Sequence, residues 1–160
     1  MRLGQIHERH AAKAILAALP LVLGGAPSAL MAGPARDFHA DLSAENETKY
    51  TESPAIGTAD FHLELDTLTI TWKVTFRDLQ GPLETAWLYG PAQPGANGKA
   101  FLKIAAPGAR NPITGTAAVT EAQVQYLLYG WTYVNLVTKN HPNGEIRGQL
   151  DVRAPKDITR

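Results

Sequence analysis

The chain has 160 residues and a formal net charge of zero, with 44% hydrophobic and 19% charged residues. This is the composition of a globular chain of single-domain length, and it excludes a disordered or coiled-coil one. There is no basic block and no acidic tail, so nucleic acid and anionic membrane are not expected partners, and the absence of cysteine removes disulfides, thiolate metal sites and cysteine nucleophiles.

Residues 1–35 read as an export leader: Arg2, Arg9 and Lys13 precede the apolar run 14–23, and small residues then crowd 26–35. That run is shorter than the roughly 20 apolar residues a membrane span needs. Cleavage is expected after Ala32 or Ala35. Without the leader, which holds three cations and one anion (Glu8), the remainder carries a net charge of −2. The expected domain is residues 36–153, followed by a frayed tail at 154–160, with no transmembrane segment in the mature chain.

From Phe38 onward the dominant period is two. Ala59, Phe61, Leu63 and Leu65 alternate with Thr58, Asp60, His62 and Glu64, and Leu68, Ile70, Trp72, Val74 and Phe76 alternate with threonines, Lys73 and Arg77. A tight Asp66-Thr67 connection predicts a hairpin. Two strands with polar outer faces require a second sheet over their inner faces. Further strands are expected at 85–90, 99–105 and 113–119, with a turn-rich stretch at 90–98. Thr120 and Gln123 have capping-box spacing, and Val124, Leu127 and Leu128 recur at helical intervals before Gly130, which predicts one short helix near 121–129. Strands at 132–138 and 145–152 close the chain, joined through His141-Pro142-Asn143-Gly144, where Asn-Gly signals a hairpin. The expected architecture is an all-β, Greek-key-like antiparallel β-sandwich with one short helix.

The ending YVNLVTKNHPNGEIRGQL, residues 133–150, resembles the terminal motif of the chordin-type domain called CHRD, with Tyr133, Asn135, Asn143, Gly144, Glu145, Arg147 and Gly148 at motif positions. The resemblance extends upstream through DLSAENET, GTADFHLELDTLTITWKVTFRDLQGP, AWLYGPAQPGANG and ITGTAAVTEAQVQYLLYG, and so covers residues 38–152 in order. It implies a β-sandwich module of secreted or cell-surface proteins with no catalytic mechanism to carry over. Many bacterial members of that family carry His-x-His before the Gly-Pro-Ala turn and another His after Tyr-Val-Asn. The matching positions here are Trp87, Tyr89 and Val137, which are not imidazoles, and Trp and Val ligate nothing.

Three histidines remain beyond the leader. His39 and His62 stand among Asp41, Asp60 and Glu64, so a surface His/carboxylate metal site built on His39, His62 and Asp60 is conceivable if their strands pair, although solvated side chains are the plainer reading. His141 is expected in a turn. Ser43 and Ser53 lie in no nucleophile-elbow sequence. Glu145 and Arg147, two apart on one strand face, are expected to form an ion pair or to bond to neighbouring loops, and a structural pairing is favoured over an acid/base pair. Aromatic residues crowd the second half: Trp87, Tyr89, Tyr126, Tyr129, Trp131 and Tyr133. Among them Trp87 and Tyr89 are the candidate partner-binding residues if exposed; burial is the favoured reading. The expectation is therefore an exported, non-catalytic module without a cofactor, binding a protein, carbohydrate or envelope partner. The alternative is a periplasmic copper- or zinc-binding protein using ligands other than the family trio.

Overall fold

The computed structural model describes residues 34–153. The leader up to residue 33, the cleavage position after Ala32 and the tail at 154–160 lie outside the described residues; Ala35 opens the first strand. The strands are β1 (Ala35–Ser43), β2 (Ile56–Glu64), β3 (Thr69–Arg77), β4 (Leu83–Gly90), β5 (Lys99–Ala105) and β6 (Ile113–Ala118). Helix α1 (Glu121–Leu128) follows, then β7 (Tyr133–Thr138), β8 (Ile146–Gln149) and β9 (Asp151–Val152).

Alternation builds the first three strands as expected. In β3, Ile70, Trp72 and Val74 are buried while Thr71 and Lys73 face solvent; in β2, Ala59, Phe61 and Leu63 are buried. The register pairs Phe61 with Trp72 and Leu63 with Ile70, so apolar residues meet on one face. The hairpin is wider than a two-residue turn. Glu64 pairs with Thr69, and Leu65 to Leu68 form the turn, with Leu68 at φ 50°, so Leu65 and Leu68 cap the core instead of extending the strands.

The class is all-β and antiparallel, but the two separate sheets of the expected sandwich are replaced by one. Hydrogen bonding runs continuously in the order β5-β4-β7-β8-β1-β2-β3-β6, with β9 also on β1. The sheet curls so that its edges β5 and β6 approach each other, giving a nearly closed, barrel-like form. Curling lets a single sheet cover its own inner face. That face carries one core, including Phe38, Leu42, Phe61, Leu63, Ile70, Leu88, Leu136 and Leu150. Each such side chain contributes roughly 1.5–3 kcal/mol of transfer free energy on burial.

The helix adds Val124 and Leu127 to this core. Its start is the expected capping box: the Thr120 hydroxyl accepts from Gln123 N–H and the Gln123 side chain accepts from Thr120 N–H. Its end is a Schellman motif. Trp131 N–H donates to Tyr126 C=O and Gly130 N–H to Leu127 C=O, with Gly130 at φ 67°.

The closing strand also differs from expectation. It breaks at Leu150 into β8, which pairs with β7, and β9, which pairs with β1, and this leaves Val152 exposed. Asn143-Gly144 lies in a longer connection, 139–145, and Glu145 N–H donates to Leu136 C=O before β8 begins.

Candidate functional site

Strand β7 departs from simple alternation because both of its faces are buried. Val134 and Leu136 enter the core, and Tyr133 and Asn135, which point the other way, are buried as well. They are covered by two long loops, 44–55 and 91–98. The neighbouring strands supply their partners: Tyr89 of β4 lies opposite Tyr133, and Arg147 of β8 lies opposite Asn135.

On this outer face the Tyr89 and Tyr133 rings stack with centroids 4.9 Å apart, and the Arg147 guanidinium lies 3.4 Å from the centre of the Tyr133 ring. Arg147 is 2% exposed and ties down the second loop, donating to Asn97 Oδ1 at 3.1 Å and to Ala96 C=O at 2.6 Å. Thr48 donates to the same Asn97 oxygen at 3.2 Å and so fastens the first loop to the second. Gln149 adds bonds to the carbonyls of Ala92 and Gly130. Burial lowers the Arg147 pKa against the opposing pull of Tyr133 and Glu47.

Glu145, fully buried, gathers three other segments. Its carboxylate accepts from Ser53 Oγ at 2.6 Å, Gln80 N–H at 2.6 Å and Thr138 Oγ1 at 2.5 Å. Of the two arrangements expected for Glu145 and Arg147, the direct ion pair is not made and the bonds to neighbouring loops are. Each finds its partners in a different loop, because the chain turns between the connection and β8. Ser53 donates its hydroxyl to Glu145 and accepts from Ala55 N–H at 3.1 Å.

Glu47 hangs from the first loop over β7 and accepts from Asn135 Nδ2 at 3.4 Å. Burial is the largest influence on it and outweighs the favourable charge of Arg147 and the Asn135 bond, so its pKa is pushed up to about 7. Tyr89 is raised as well, first by burial and then by Tyr133 and Glu47.

A family model described as the CHRD domain matches residues 38–150. The chain belongs to the CHRD domain family. A search of curated proteins and a search of solved structures each return no match. In this CHRD domain the motif residues Tyr133, Asn135, Gly144, Glu145, Arg147 and Gly148 all lie in or beside the β7–β8 hairpin. Gly148 faces Asp41 and Leu42 of β1, and Asn143 is exposed in the turn.

The candidate partner-binding residues Trp87 and Tyr89 are half-buried, on the outer side of β4. Tyr89 is engaged by Tyr133, and Lys103 Nζ lies 5.6 Å from the centre of the Trp87 ring. Exposed aromatics lie elsewhere, among them Tyr50 of loop 44–55 at 65%. Tyr129 and Trp131 are 63% and 39% exposed, with ring centroids 5.1 Å apart. No sequence signal separated them from the other aromatics of the second half. Glu47 carried none, because a glutamate in a polar loop has no periodicity to read.

The histidine candidates do come from paired strands, with His39 opposite Asp60 and Asp37 opposite His62. They form two separate clusters. His39 contacts Asp60 at 2.8 Å and Asp41 at 3.3 Å, while His62 contacts Asp37 at 2.6 Å and Glu64 at 2.9 Å. Among the described residues no three His, Asp or Glu side chains are grouped to hold a metal ion. His141 is in the loop after β7, its Nε2 2.8 Å from Gln80 Oε1.

Proposed function

We propose that this chain is an exported CHRD module that acts by binding a partner and not by catalysis, with Tyr129 and Trp131 as its contact platform. The observation that carries this reading is the rigidity of an exposed aromatic pair. The Schellman motif fixes the backbone between the rings, and Trp131 C=O accepts from Ala92 N–H at 2.9 Å, which anchors the far side. With the backbone on both sides of the pair already fixed, little backbone entropy is lost when a flat apolar surface, such as a sugar ring, stacks on the exposed rings.

Export is supported by the order of charge, apolar run and small residues before the first strand. Cleavage after Ala32 suits the fold better than cleavage after Ala35, because Pro34 C=O accepts from Leu65 N–H at 3.0 Å. Among the described residues no helix is long and apolar enough to cross a membrane.

The test is a titration of the purified protein with a panel of oligosaccharides and extended peptides, followed at the Trp131 indole N–H by NMR. A saturable shift is expected from one ligand class, with affinity falling about tenfold in Trp131→Ala or Tyr129→Ala while thermal stability is unchanged. Binding unaffected by either substitution, or turnover of a bound ligand, overturns the reading.

A further inference from the structure

We infer that Glu47 is held as a neutral acid in a cyclic pair with the Asn135 amide, forming a pH-sensitive latch that fastens loop 44–55 across β7. In this pair Asn135 Nδ2 donates to Glu47 Oε2, and Glu47 Oε1–H donates to Asn135 Oδ1.

Two atoms at this contact are orphaned. Glu47 Oε1 and Asn135 Oδ1 are both buried, and neither has a hydrogen-bond donor. Both are close to Gly144: a Cβ there would lie 2.6 Å from Glu47 Oε1 and closer still to the Asn135 amide. Glu47 as a whole is half-buried, but these two atoms are not exposed to water, and each acceptor so placed forfeits a hydrogen bond at a cost. Turning the amide over does not help, since it would set Asn135 Oδ1 against Glu47 Oε2, another acceptor. One proton on Glu47 satisfies both atoms at once.

The surroundings favour that proton. Burial raises the Glu47 pKa to about 7 even with Arg147 opposing it. Among the described residues no salt bridge joins Glu47 to Arg147, whose guanidinium is spent on Asn97, Ala96 and the Tyr133 ring. The other ionisable groups around it are Tyr89 of β4 and Tyr133 of β7, while Glu45 and Lys49 on its own loop are exposed. When the proton leaves to solvent, the bond to Asn135 Oδ1 is lost and a buried anion remains. Because the folded-state pKa lies above the unfolded value of 4.5, the latch stabilises the fold fully below about 4.5 and loses its effect as pH rises through about 7.

E47Q tests this, because an amide N–H replaces the carboxyl O–H and keeps the ring closed at every pH. Folding equilibrium constants of the wild type and E47Q are compared by denaturant titration from about pH 5 to about pH 8. Relative to E47Q, the wild type is expected to lose at least about tenfold across that range, since each unit of pKa shift is a factor of ten. His62 titrates in both proteins and cancels in the ratio. Parallel pH profiles overturn the latch. A second measurement needs no variant: the ¹³C shift of the Glu47 carboxyl should titrate near 7, and titration in the ordinary carboxylate range overturns the latch as well.

Discussion

The outer faces of the two halves of this sheet have similar polarity in sequence and opposite fates in the fold. On β2 and β3 the outward Thr71 and Lys73 are exposed, and Asp60 and His62 are partly so. On β7 and β8 the outward Asn135 and Arg147 are buried under loops 44–55 and 91–98, and the motif residue Glu145, at the entry to β8, is buried as well. Polar groups left in water exchange one partner for another at little net cost, whereas polar groups taken out of water must find fixed partners. The family motif lies on the covered half, where Glu145 and Arg147 hold the loops that shield Tyr133 and Asn135.

The sharpest way to break this comparison is Glu145→Ala. Removing the carboxylate strands the hydroxyls of Ser53 and Thr138 and the amide of Gln80, and a loss of about 3 kcal/mol or more is expected in chemical denaturation. A result within about 0.5 kcal/mol of wild type, the usual range for exposed positions, would remove the distinction between the two faces.

A somewhat smaller effect is expected at the connection between β7 and β8. Gly144 has φ 123°, and a side chain there would collide with Glu47 and Asn135, so Gly144→Ala should cost about 2 kcal/mol, read as a lowered thermal midpoint. Because the collision falls on the latch, the same variant should also flatten the pH dependence assigned to Glu47. An unchanged pH profile would detach Gly144 from it.

The smallest effect belongs to the open face. Hydrogen bonds to Asp37 and then Glu64 raise the His62 pKa above 6.5, so its contribution to stability is present below that value and fades as pH rises through the folded-state pKa. Its side chain is 44% exposed, so solvent and salt screen the interaction. His62→Gln should remove a slight slope that about 0.5 M salt also removes in the wild type, whereas the Glu47 slope should survive that salt because its cause is burial. Salt erasing both slopes equally would mean that Glu47 is no more sheltered than His62.

Legibility in the sequence followed the same division. Where one face meets water, as in β2 and β3, hydrophobic alternation specified the strands and their inward residues. The capping box named the start of α1 to the residue, because it depends on contacts only three positions apart. Around β7 alternation carries no such information, since both faces are buried. The family resemblance marked Tyr133, Asn135, Glu145 and Arg147 as belonging together, but the spacing left open whether Glu145 and Arg147 pair with each other or with neighbouring loops, and the fold chose the loops. Spacing along a strand says which side chains share a face, not which loop will arrive to satisfy them.

The sequence by itself determined the all-β class, the CHRD membership, most strand positions and the helix α1, because these rest on local periodicity, capping and motif order. Only the tertiary structure decided that one curled sheet takes the place of two, and that Trp87 and Tyr89 are half-covered while Tyr129 and Trp131 stand exposed. It also set Glu47 against Asn135, 88 residues apart in the chain. Contacts of that kind depend on how the sheet bends and where long loops settle, which is fixed by the packing of the whole domain and not by any short stretch of it.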